Sequence, residues 1–392
     1  METAVWLEYI KGIAKFFIHP LFYFSVLITL LSGYLRVKRE RRDFNIRNKP
    51  GIHELQSLFG IGALVGLLLS IIGIVVGFTL PFYLILAIMV STILLTLIGH
   101  ARLLTPALTI GLPLVTFYIL DVFTIQISRF TFDWSSSWFS GIAIVLGLFI
   151  LTEGILTYVN GHQSLSPKLR KSRRGLTVGA IQAKRFWLVP VLFFLPVGDL
   201  QPIFDWWPMF TFAGGEYTPI LLPFLFGYQI QIQSRLPEEA IQQLAKEVIW
   251  LSVLVIAIAV AGLWLPTILP IIAVGLAMVG RLFISYRHRL RERAKPYYFT
   301  PLNDGMMILD VLSDSPAEKI GLKTGEIIST CNGIPVSNKD ELYEALMTNR
   351  AYCKLEVFDV NKEKRLLQCA LFEGDHHGLG ILFVEKRKTP IG

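Results

Sequence analysis

The chain has 392 residues, 53% of them hydrophobic, and a mean hydropathy of +0.55, which excludes an ordinary soluble protein. Its formal net charge of +8 does not mark a nucleic-acid surface. The basic excess lies beside the hydrophobic runs, where it acts as a topology signal and attracts anionic headgroups, whereas the segment from Tyr297 onward holds more acid than base. Membrane lipids are therefore the expected partner, and no nucleic acid is.

The first fifteen residues, METAVWLEYIKGIAK, read as a short amphipathic helix at the membrane surface. Two acids before the apolar run, and an Arg-rich flank with no small-residue cleavage site after it, argue against a cleaved signal peptide. A bilayer core takes about 20 helical residues. Runs of that order are Phe16–Tyr34, Leu58–Phe78, Leu80–Ile98, Leu104–Val122, Trp138–Tyr158, Val248–Leu265 and Thr267–Phe283. The segment Phe186–Phe226 is also apolar but is broken by Pro190, Pro196, Pro202, Pro208, Pro219 and Pro223. It reads as two short crossings or a re-entrant hairpin, so the expected fold is a polytopic α-helical domain of seven to nine spans over residues 1–295. In the second run Gly60, Gly62, Gly66, Ser70, Gly73 and Gly77 form a small-residue stripe. Such a stripe lets helices approach closely, within one bundle or between copies of a homo-oligomer.

Orientation follows from Lys and Arg in short loops. The segments RVKRERRDFNIRNK and SPKLRKSRRGLTVGAIQAKR hold seven basic residues each, and Arg281–Lys295 holds six. Alternation of the spans places all three inside, the N-terminus outside, and the end of the chain in the cytoplasm. Cys331, Cys353 and Cys369 all fall in that end, without CxxC spacing, which fits a reducing compartment and offers no zinc site.

Residues 296–392 change character. The apolar strand MMILDVL is followed by SDSPAEKIGLKTGEIISTCNGIPVSNKDELYEAL. Pro316 opens a short helix, Gly321 ends it, Asn332-Gly333 signals a hairpin, and Asn338 or Ser337 caps a helix over Lys339–Met347. This pattern, with Ser315-Pro316-Ala317, Gly321-Leu322, Gly325-Glu326-Ile327-Ile328, Asn332-Gly333, Val336 and Leu342, resembles PDZ domains of bacterial type. The resemblance implies a small α+β domain that binds an extended peptide between a strand and a helix. By position the groove would comprise Asp304, Gly305, Met306, Met307, Ile308, Leu342, Ala345 and Leu346, with Leu302–Gly305 as the carboxylate-binding loop. No GLGF-like element precedes that strand, yet Gly378-Leu379-Gly380-Ile381 stands near the C-terminus. The loop at Leu302–Gly305 is thus degenerate, or the strand order is rearranged and Gly378–Ile381 lines the groove.

No catalytic constellation is expected. His53-Glu54-Leu55-Gln56-Ser57 lacks the second histidine of HExxH, Ser140-Gly141 lacks the first glycine of a GxSG elbow, and His376-His377 reads as a solvated turn. Glu153 is an intramembrane acid and hence a candidate by default, with pairing inside the bundle as the plainer role. No doubled, interrupted half-structure points to a transporter. No cofactor or metal is called for.

Taken whole, the opening FFIHPLFYF, the RVKRERR loop, the multi-span body and the terminal PDZ-like domain resemble the MinJ family of division-site selection in rod-shaped Gram-positive bacteria. That resemblance implies a non-enzymatic adaptor between DivIVA-like and MinD-like division proteins, enriched at septum and poles.

Overall fold

The structure is a computed structural model that describes residues 14, 16–76, 80–123, 136–196, 217–349, 352–370 and 379–384. The surface helix expected over the first fifteen residues falls outside them apart from Ala14, as do Pro202, Pro208, Gly77, Gly378 and the pair His376-His377.

Seven apolar helices account for the expected runs: α1 (Pro20–Phe44), α2 (His53–Val76), α3 (Phe82–Leu97), α4 (Pro106–Val122), α5 (Ser136–Asn160), α6 (Pro237–Ala261) and α7 (Leu269–Ala294). Local chemistry sets their ends. His19 Nδ1 accepts from the Leu21 N–H at 3.3 Å with Pro20 in the first turn, and Asn45 closes α1 at φ 60. α6 begins at Pro237, a full three turns before the apolar run, because Pro237-Glu238-Glu239 suits a helix N-terminus and Ala240, Ile241 and Leu244 are buried. Five of these helices, α1, α2, α5, α6 and α7, are long and apolar enough to cross a membrane, while α3 and α4 are shorter. The described residues therefore hold five helices of spanning length and two shorter apolar ones.

The helical reading of Phe186–Phe226 is corrected. In its described residues, 186–196 and 217–226, the chain is extended: β2 (Thr177–Pro196) pairs antiparallel with β3 (Tyr217–Ile232), and β1 (Leu165–Lys171) pairs with the start of β2. The membrane domain is consequently not all-helical. Prolines that would break a helix sit here at tolerated positions. The Leu192 N–H, the Phe194 carbonyl and the Gly227 N–H all point away from the partner strand, to Ser70, Leu80 and Leu104. Pro190 and Pro196 share the parity of Leu192, and Pro219 and Pro223 that of Gly227, so none removes a bond between β2 and β3. Irregular or extended backbone at membrane depth is viable when protein surrounds it. Here Val189, Val191, Phe193, Leu222, Phe224 and Phe226 are buried against the helices.

The last part is a separate sheet with the order β8-β7-β5-β4-β9 and β6 paired to β5. Its strands are β4 (Met306–Val311), β5 (Ile327–Cys331), β6 (Ile334–Pro335), β7 (Tyr352–Phe358), β8 (Lys364–Ala370) and β9 (Ile381–Phe383), with helices α8 (Pro316–Lys319) and α9 (Lys339–Met347). Met306, Ile308, Leu322, Ile328, Leu346 and Val357 are part of its own core.

This domain does not hang free. Phe299, Leu309 and Val384 close over Ile181 of β2, the Gly179 N–H donates to the Phe299 carbonyl at 2.8 Å, and the Tyr298 N–H to the Gln233 carbonyl at 2.8 Å. Phe44 and Leu169 pack on the same cluster. The three basic segments thus meet at one end of the bundle, around the C-terminal domain.

Candidate peptide groove and its anchoring

Gly305 stands at φ +107, where a Cβ would press on Ile327 and on the Ile328 carbonyl, so only glycine turns the chain into β4 there. Asp304 before it is exposed. Met306 and Met307 pair with Ile328 and Ile327 of β5, and Ile308 onward pairs with β9. Met306, Met307 and Ile308 therefore lie inside the sheet, and among the described residues β9 is one of its two edges, with no strand paired to its outer side. Asn338 caps α9 by accepting from the Glu341 N–H at 2.9 Å, which leaves Leu342, Ala345 and Leu346 buried in the domain core. Ile381 and Phe383 of β9 are half-buried against that same core.

β9 pairs with β4 and is the last strand in the sheet order, which brings Leu379, Gly380 and Ile381 beside the end of β4. Leu379 is buried, and its carbonyl accepts from the Ala317 N–H at 3.0 Å. Gly380 at φ +79 approaches Ser315 so closely that a Cβ would collide with it, and its carbonyl accepts from the Leu312 N–H at 2.8 Å. Among the described residues, the N–H groups of Leu379 and Gly380 find no backbone acceptor. A strand edge unpaired among the described residues, with two N–H groups free of backbone acceptors at its start, is the part that receives an extended chain by strand addition, while the apolar face of α9 is taken up by the core that β9 also covers.

One residue pair was not anticipated. Asp310, the lone acid in MMILDVL, accepts from Asn48 Nδ2 at 2.6 Å and thereby ties β4 to the loop after α1. Burial pushes its carboxyl up to about 7, against the opposing pull of the Val311 N–H and the Lys49 ammonium. Its signal in sequence was that lone charge inside an apolar strand; its partner carried none.

Other residues weighed for chemistry are engaged structurally. Glu54 pairs with Arg36, Ser140 Oγ donates to the Gly262 carbonyl at 3.1 Å, and Glu153 takes Arg281 at 2.6 Å with Thr105 as a second donor. Arg281, read from sequence as part of a basic flank, is in fact buried within the bundle.

No protein-family model matches the chain. A search of solved structures finds the crystal structure of the PDZ domain of the SdrC-like protein from Listeria monocytogenes, at 18% identity and a TM-score of 0.18, covering 21% of this chain and 90% of that one. The probable cell division topological determinant MinJ of Lacticaseibacillus paracasei is 24% identical over 375 residues, 93% of this chain and 95% of that protein. The cell division topological determinant MinJ of Bacillus subtilis is 38% identical over 391 residues, 98% of this chain and 97% of that protein. With such identity along nearly the whole of both chains, the protein belongs to the MinJ family.

Proposed function

We propose that this protein is a non-enzymatic, multi-pass membrane adaptor of cell division, with its C-terminal PDZ domain, residues 296–392, in the cytoplasm. The domain offers the β9 edge to partner proteins, DivIVA-like on one hand and MinD-like on the other, at septum and poles. The observation that carries this reading is the β9 edge, unpaired among the described residues and beginning at Leu379-Gly380, on a domain clamped to the basic end of the bundle. The relatives' role as cell division topological determinants supports the division context. Confinement to a membrane raises the effective concentration for partners that are also membrane-bound, so weak contacts suffice.

The test is photocrosslinking in living cells from a reactive residue at Phe383 of the full chain, with the exposed Leu366 on β8, at the far edge of the sheet, as control. Division proteins captured from Phe383 and not from Leu366 support the adaptor. Proteases or secretion components captured instead, or equal capture from both positions, refute it.

A further inference from the structure

β3 ends in Gln229-Ile230-Gln231-Ile232, and Gln233 follows it. Strand alternation sends the three glutamines to one face, while Tyr228 and Ile232 enter the core. Across from the glutamines, α7 presents Ser285, Arg289 and Arg293, spaced as one helical face. With Arg102 after α3 and Lys168 of β1, they line a cavity of about 570 Å³.

The charges in this cavity do not balance. Glu292, also on its wall, is committed to the Gln233 and Ser234 N–H groups and to Arg235, and Arg281 is committed to Glu153. Among the described residues, no carboxylate forms an ion pair with Arg102, Lys168, Arg289 or Arg293. A second observation is independent of charge: Gln231 lines the cavity, and among the described residues its buried Nε2 has no acceptor. A buried donor without a partner is costly, and converging guanidinium groups repel unless an anion joins them. Phosphate oxygens satisfy both, because guanidinium forks grip them bidentately and an amide donor adds a further bond.

The surroundings choose the source of that phosphate. Leu97 and Ile98 at the end of α3, with Leu282 and Leu290 on α7, are large apolar side chains left exposed. They lie on the two helices that bring Arg102 and Arg289 to the cavity, so acyl chains can run along them while a headgroup turns inward. We propose that this cavity binds the phosphate of an anionic phospholipid headgroup, at the membrane boundary where α3, α7 and the β-hairpin meet.

Native mass spectrometry of the full chain in uncharged detergent tests this, with short-chain phosphatidylglycerol, short-chain phosphatidylcholine and inorganic phosphate as probes. Phosphatidylglycerol should be retained in preference to phosphatidylcholine. The double change Arg289→Gln and Arg293→Gln should weaken phosphatidylglycerol on the order of tenfold, since each cation near the surface contributes comparably. Arg173→Gln with Arg174→Gln, in the exposed β1–β2 turn, should leave it unchanged. Gln231→Leu keeps every charge and should also weaken binding, which guards against a fold defect in the arginine variant. Equal retention of both lipids, or an equal loss in the Arg173 and Arg174 variant, overturns the site. Displacement by inorganic phosphate at matched concentration assigns the cavity to soluble phosphate esters and overturns the lipid source.

Discussion

Gly66 on α2 lies directly against the Pro190 carbonyl on β2, where any Cβ would collide with that oxygen. The relationship repeats along the strand. Gly62 faces the Leu188 carbonyl at 2.6 Å from an ideal Cβ, Ser70 Oγ accepts the Leu192 N–H at 2.9 Å, and Gly73 meets the Leu192 carbonyl at 3.4 Å. An unpaired strand edge is a liability, and more so at membrane depth, where water cannot satisfy it. The small-residue stripe of α2 seals that edge, with Ser70 supplying an acceptor and Pro190 having no N–H to orphan. Gly62, Gly66, Ser70 and Gly73 are thus used within the chain, while a Cβ on Gly60 would meet nothing.

Replacing Gly66 by Leu should therefore separate α2 from β2 and destabilise the detergent-solubilised protein by about 1–3 kcal/mol or more. Gly141→Ala, where an added Cβ meets nothing, is the matched control and should leave the thermal midpoint in place. A Gly66→Leu protein that melts like the parent would dissolve the proposed seal.

The buried pair Glu153–Arg281 invites a second test. Arg281→Met leaves an uncompensated carboxylate among α5, α4 and α7, a change that typically costs about 3–5 kcal/mol. Adding Glu153→Gln should recover much of that loss. Thermal unfolding of the single and double variants reads the difference; equal destabilisation in both would mean that the pair is not coupled.

A pH dependence follows from Asp310. Its carboxyl titrates at about 7 when the domain is docked and at about 3.9 when free. The docked state holds the extra proton between those values, so docking is strongest below about 4 and weakens as pH rises through about 7. Protection of the Gly179 and Tyr298 amides, both bonded across the boundary, should fall over that range relative to their intrinsic base-catalysed exchange. Asp310→Asn should flatten the response, and an unchanged slope in that variant would remove Asp310 as its source.

Topology gives the fourth prediction. Because Ile181, Phe299 and Leu309 share one cluster, the β1–β2 turn and the C-terminal domain must lie on the same side of the membrane. A reporter active only outside the cell should be silent at Ser172 and at Pro296 and active near Ser135. Signals of opposite sense at Ser172 and Pro296 would contradict the packing itself, and activity at both would invert the orientation.

The sequence by itself determined the apolar helices, the basic flanks and the motif of the C-terminal domain, because each depends on neighbours within a few turns of chain. Pro316, Gly321, Asn332-Gly333 and Asn338 act locally, and the structure uses them as read. The stretch Phe186–Phe226 shows where locality ends. Its prolines argued against one long helix, but only the register that brings Pro190 opposite Pro223 made two strands the better solution. The C-terminal sheet behaves alike: the glycine-rich motif was visible, yet the place of Leu379, Gly380 and Ile381 beside β4 depends on β9 pairing with β4 across most of the domain. Asp310 and Asn48, 262 residues apart, carry no mutual signal in the sequence at all. Pairing of distant strands and burial of a charge against a distant loop depend on which surfaces meet, and that is decided only when the whole chain has packed.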